Sequence, residues 1–169
     1  MLADSSWLAD GVDDVLSNTS FASLTGDFTL GLVCQANAAP SGSLVVFELA
    51  QSATAGLQVV MTSAGKVGIA SGGGATSSVV SASSVADGRP HSVIVTRSGT
   101  TYTVYVDGVS AGTSGGTAPT YNRAFAFRSA AATLPWAYYL QEVEVYSSAK
   151  AAGDVAALYA FHKLTWGTP

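Results

Sequence analysis

The residues best suited to chemistry lie near the end of the chain. Glu142 and Glu144 stand two apart in AYYLQEVEVYS (137–147). In a strand, side chains at i and i+2 share a face, with Cα atoms roughly 6–7 Å apart. Retaining glycoside hydrolysis uses two carboxyls about 5–5.5 Å apart, so a strand could present such a couple. The next residue on that face is Tyr146, however, and no third acid follows. Val143 and Val145 would take the core side and leave both glutamates solvated. The pair is therefore read as a solvated strand face, and no catalytic residue is assigned.

Other constellations are weaker. Asp10, Asp13, Asp14 and Asp27 fall in or near turns and are the acids most able to gather oxygens around calcium, although they lack an EF-hand spacing. Calcium is the one cofactor left open. Two histidines and one cysteine do not make a dedicated zinc site, so no other metal is expected. Tyr121, Trp136, Tyr138 and Tyr139 lie in or beside the late loops, where exposed rings could stack on a sugar. Core packing competes with that role, because large aromatics usually fill an interior or an interface. Trp166, in the tail HKLTWGTP, either folds back onto the domain or docks on a neighbour, and is the candidate interface residue. Gly112–Gly116 matches G-x-S-x-G, but a loop with Pro119 follows instead of the helix that a nucleophile elbow needs. Cys34, the single cysteine, shares the inward face of FTLGLVCQ with Phe28, Leu30 and Leu32, and reads as a small buried hydrophobe. His91 and Asp107 could form a chemical pair, yet strand and turn logic accounts for both.

The elements that must hold these residues are almost all strands. Strand patterns recur through 6–9, 28–35, 43–51, 56–62, 65–70, 77–83, 91–97, 101–106, 123–129 and 137–147, separated by Gly, Ser, Asn and Pro clusters. Such short, regular spacing predicts a sandwich or barrel, not βαβ units. HSVIVTR, the turn SGT, TYTVYV and then Asp107–Gly108 predict a three-stranded meander, with a type I′ turn at the Asp–Gly pair. One helix is predicted near the C-terminus, where Val155, Leu158, Tyr159 and His162 form a single stripe behind Asp154. His162 is placed at the edge of that stripe, without a catalytic role.

Composition bounds the partners. The 169 residues carry only 11% charged side chains and a net charge of −4, against roughly a quarter charged in an ordinary domain. Seven scattered Lys and Arg offer no basic stripe, so nucleic acid is not an expected partner. No apolar run is long enough to span a bilayer, and the opening MLADSSWLADGVDD has neither the basic nor the apolar region of an export signal.

The wording of DGRPHSVIVTRSGTTYTVYVDGVSAG (87–112) is more specific than its physics. It resembles the segment of laminin-G-like domains, within the concanavalin A-like lectin/glucanase superfamily, in which a D-G-x-x-H-x-V strand leads into a Y-V-D-G hairpin. GVDDVL (11–16), GDFTLGLVCQA (26–36) and YLQEVEVYSSAKAAGDVAALYA (139–160) fit the same family in the same order. Pro90, where many members carry tryptophan, and Val33–Gln35 depart from its pattern. The resemblance implies an all-β, two-sheet antiparallel jelly roll with one short C-terminal helix. It would fill 1–163 as a single domain and leave 164–169 as a tail. That superfamily spans lectins, adhesion domains, glycosidases and structural modules of phage particles. The expectation is a non-enzymatic virion module, a capsid decoration or tail protein assembled in the host cytoplasm. Its partners would be other virion proteins and copies of itself. A carbohydrate-binding or adhesion module of an extracellular protein is the alternative, with glycans as partners, and a glycoside hydrolase comes third.

Overall fold

The computed structural model describes residues 7–10, 16–19, 23–52, 55–71, 78–116, 120–126 and 137–169. Twelve strands among them form two six-stranded antiparallel sheets. The first sheet runs β1 (Trp7–Asp10), β12 (Ala137–Tyr146), β3 (Phe28–Gln35), β8 (Pro90–Ser98), β9 (Thr101–Val106), β10 (Val109–Gly115). The second runs β2 (Leu16–Asn18), β11 (Arg123–Ala126), β4 (Leu44–Ser52), β5 (Ala55–Met61), β6 (Val67–Ser71), β7 (Val79–Val80). This is the two-sheet jelly roll that the strand pattern and the resemblance implied.

Period-two alternation explains the layers. Phe28, Leu30, Leu32 and Cys34 of β3 point inward beside Val93 and Val95 of β8 and Val104 of β9. Leu49, Leu57, Val59 and Ile69 meet them from the second sheet. Burying each such side chain is worth about 1.5–3 kcal/mol. Burial also pushes the Cys34 thiol up to about 12, with the Asp107 charge adding to the effect. Its thiolate is therefore inaccessible at physiological pH, as expected of an inert core cysteine.

The meander of β8, β9 and β10 follows the sequence closely. Asp107 and Gly108 adopt φ of 50° and 76°, the pair of positive values that a type I′ turn requires. The one helix among the described residues, α1 (Ala152–Trp166), lies on the outer face of the first sheet. Val155 and Leu158 pack on Ile94 there, flanked by Tyr105, Tyr146 and Tyr159. The chain enters the helix through Thr29, whose hydroxyl donates to the Ser148 carbonyl and accepts from the Lys150 N–H. It leaves through Gly167, left-handed at φ 72°, whose N–H caps the Lys163 carbonyl. The helix thus extends three residues into the segment expected to be tail, because Lys163, Leu164 and Trp166 continue its turns up to that glycine. No helix among the described residues is long and apolar enough to cross a membrane.

Candidate functional site

Two polar clusters stand out, each built around a buried histidine. The first lies at one end of the sandwich. His91, 4% exposed, occupies the start of β8. Its Nδ1 lies 2.7 Å from Asp107 Oδ2 in the hairpin turn, and its Nε2 3.0 Å from Asp87 Oδ1 in the preceding loop. Asp107 also accepts the Ser92 N–H at 3.0 Å, while Asp87 accepts the Arg89 N–H at 2.9 Å. Burial works against a charged imidazole here, but the hydrogen bonds to Asp107 and Asp87 outweigh it and raise the His91 pKa above its ordinary value. The hydrogen bond to His91 in turn lowers that of Asp87. A cleft of about 410 Å³ opens beside this clamp, with Arg89, Ser110 and the terminal Pro169 on its wall.

The second cluster lies on the outer face of the first sheet, beneath α1. A β-bulge in β12 creates it. The pairing with β3 shifts between Leu140 and Glu142, so Gln141 is the extra residue. Tyr138 and Leu140 face the core before the bulge, and Val143 and Val145 pack against it afterwards. Glu142, Glu144 and Tyr146 are consequently turned outward together. All three are half-buried, not solvated as the sequence suggested, because α1 covers them: Trp166 and His162 stand over Glu142 and Glu144, and Val155 and Leu158 over Tyr146. Trp166 Nε1 donates to Glu142 Oε2 at 2.5 Å, and the Tyr146 hydroxyl donates to Glu144 Oε2 at 3.0 Å. Burial, then the Glu144 bond, raises the Tyr146 pKa, which keeps the phenol protonated as a donor.

His162 descends from the helix between these carboxylates and is 0% exposed. Its Nδ1 pairs with Ser92 Oγ at 2.7 Å. Its Nε2 has no hydrogen-bond partner and lies 3.7 Å from Glu144 Oε2. Burial holds its imidazole below the ordinary histidine pKa, against the pull of Glu144 and Glu142. Space for the ring comes from Gly31, the register partner of Glu144. A Cβ there would stand 3.2 Å from Leu158 Cδ2, 3.4 Å from Glu144 Oε2 and 3.5 Å from His162 Cε1. Among the described residues, Glu142, Glu144 and His162 are the group of potential metal ligands that converge, with one donor atom of each within 4.8 Å of the others.

The candidates singled out in the sequence fare differently. Tyr121 and Tyr138 are 2% and 3% exposed, so neither can offer a ring to a sugar. Tyr121 stacks edge-on against Phe28 and shares a hydroxyl contact with Tyr102, while the Tyr138 hydroxyl donates to the Val46 carbonyl. Tyr139 is half-buried, and Trp136 lies outside the described residues. Asp27 accepts the Gly99 N–H at 2.7 Å and secures a turn. Asp10 ends β1 opposite Ala137, and Asp13 and Asp14 lie outside the described residues. Trp166 folds back onto its own sheet through Glu142. The sequence also gave no hint of Glu48 and Gln58, which pair in register across β4 and β5 and are each 1% exposed.

The architecture is an antiparallel jelly roll carrying a helix on an outer sheet face. The sequence profile described as the concanavalin A-like lectin/glucanases superfamily matches residues 10–156, and the chain belongs to that superfamily. A comparison with curated protein sequences finds no match. Among solved structures, the heptameric SAP-like pentraxin from Limulus polyphemus superposes with a TM-score of 0.71 at 13% identity, over 92% of this chain and 82% of that one. Trypanosoma rangeli sialidase in complex with sialic acid gives 0.67 at 19% identity, over 86% of this chain but 24% of the sialidase. The binding domain of botulinum neurotoxin DC in complex with SialylT gives 0.64 at 9% identity, over 86% and 39%. At these identities the likeness establishes the fold alone, and fold does not fix function.

Proposed function

We propose that the protein is a non-enzymatic assembly module that works in many copies on a virion, as a capsid decoration or tail component. The observation carrying this reading is the apolar surface along the edge of each sheet that β1 and β2 form among the described residues. β1 and β2 are edge strands, and they present Trp7, Leu8 and Leu16 at 48%, 52% and 38% exposure. A groove of about 430 Å³ runs between them, walled by Phe47, Phe125, Leu140 and Val143. Unpaired strand edges with large apolar side chains favour pairing with another chain. A surface with few charges adds little repulsion between copies. The state of the acids fits this reading: Glu142 accepts from Trp166 and Glu144 from Tyr146, so each carboxylate is engaged within the fold.

Sedimentation of a native lysate tests this. The protein should travel with megadalton particles, and Trp7→Ser with Leu8→Ser should release it. Free monomer in that lysate would refute the reading. Glycan recognition is the second reading, favoured by the hydroxyl-rich cleft beside Arg89 and Asp87 and by neighbours whose complexes hold sialic acid and SialylT. Reproducible, calcium-sensitive binding on a glycan array, weakened by Arg89→Ala, would select it instead.

A further inference from the structure

We propose that Glu142, Glu144 and His162 form a binding site for a divalent first-row transition ion of the zinc type, which pins α1 to the outer face of the first sheet. This goes beyond the assembly reading and does not depend on it.

Four observations converge. First, the spacing suits a metal better than a hydrogen bond. His162 Nε2 and Glu144 Oε2 are 3.7 Å apart, too far for a good N–H···O bond. Two ligands held at about 2.0–2.2 Å around a tetrahedral ion stand roughly 3.3–3.6 Å from one another. The third donor, from Glu142, lies within 4.8 Å of both, a gap that a small rotation of an unbranched glutamate closes. Second, His162 Nε2 is buried without a partner. If Nδ1–H donates to Ser92 Oγ, the Nε2 lone pair faces two carboxylates, an arrangement that a cation between them makes favourable.

Third, each ligand is held from behind by a residue that would not touch the ion: Ser92 on His162, Trp166 on Glu142, Tyr146 on Glu144. Such partners orient ligands and are a usual accompaniment of metal sites. Fourth, the cluster borders open space on one side. A cavity of about 350 Å³, lined by Glu144, Tyr146, Lys150 and Phe161, opens at Glu144, and Gly31 leaves the space against Glu144 and His162 that a side chain would fill. One imidazole nitrogen with two carboxylates selects zinc, cobalt or manganese over calcium, which takes six to eight oxygens. Binding needs Nε2 without a proton: an imidazolium releases one to solvent, whereas the neutral Nε2–H tautomer moves its proton to Nδ1, where Ser92 Oγ accepts it.

The test uses the full chain without a histidine tag, stripped with chelator. Titration calorimetry with zinc should give one ion per chain. Cobalt should give the intense visible bands of a four- or five-coordinate centre. Glu142→Gln, Glu144→Gln and His162→Gln should each weaken zinc binding by at least about tenfold, and Ser92→Ala by about 10–100-fold. Asp27→Asn, remote from the site, should leave it unchanged. Near-UV circular dichroism establishes that each variant is folded. Should His162→Gln fail to fold, the two glutamine variants carry the test, since both keep side-chain size and an oxygen for the helix contacts. Zinc binding absent, not saturable at one per chain, or unaffected by Glu142→Gln and Glu144→Gln would overturn the proposal. So would equal affinity for calcium.

Discussion

The two histidines of this chain are both buried, and both stand against paired carboxyl groups, yet their surroundings have opposite consequences. His91 is closed on both nitrogens by Asp107 and Asp87, so the loop before β8 and the hairpin after β9 are locked together through its ring. His162 is closed on one nitrogen by Ser92 and open on the other. Where every polar atom is used, the cluster holds the fold. Where one is left over among acids, the cluster retains a capacity to bind. The helix joins the two regions, because the Tyr159 ring lies on Gly108 of the His91 hairpin and its hydroxyl donates to the Pro169 carbonyl.

The largest expected effect falls on the closed cluster. Asp107→Ala would strip His91 and the Ser92 N–H of a partner and force alanine to φ near +50°. Breaking a buried pair from one side costs about 3–5 kcal/mol, which urea unfolding would register as a large drop in midpoint. A loss below about 1 kcal/mol would show that the clamp is dispensable. On the open side, Gly31→Val should cost about 1–3 kcal/mol by overpacking. Its β-branch meets Leu158, Glu144 and His162, so zinc binding should fall with stability; unchanged zinc affinity would place the helix elsewhere.

The pH dependence sharpens the contrast, with chelator present to keep metal out. The raised His91 pKa contributes stability that is complete below about 6.5 and lost as pH rises through the folded-state value. The lowered His162 pKa acts in the other direction. Below about 6.5 the unfolded chain takes up a proton that the folded chain resists, so stability falls with acidification. Each slope is at most about 1.4 kcal/mol per pH unit. His91→Gln should flatten the alkaline limb of the stability profile and His162→Gln the acidic limb; the reverse assignment would break the comparison. The smallest effect belongs to Trp166→Phe, which removes one N–H bond to Glu142 and should cost about 1 kcal/mol.

The fold was legible because alternation and turn chemistry are local. FTLGLVCQ, HSVIVTR, TYTVYV and Asp107–Gly108 each carry their own instructions, and β3 and the type I′ turn formed where those instructions put them. The site was not legible for an equally specific reason. In strict alternation Tyr138, Leu140, Glu142 and Glu144 would share one face, and only the bulge at Gln141 divides two core residues from two outward acids. Nothing local in YYLQEVEV announces that bulge. Nor does a helical stripe reveal which sheet residues lie under it, so His162 could be placed on the apolar face without its meeting with Glu144 being foreseen. The one usable trace was Gly31, a glycine in the middle of the strand FTLGLVCQ, which marks a close approach from above.

Imidazole ¹⁵N resonances read both histidines at once, in the folded protein at neutral pH, before and after one equivalent of zinc. The account predicts that His91, with a carboxylate at each nitrogen, is unmoved by the ion. His162, neutral beforehand, should shift strongly at Nε2. Zinc that moves His91, or leaves His162 where it was, would contradict the division between a closed cluster and an open one.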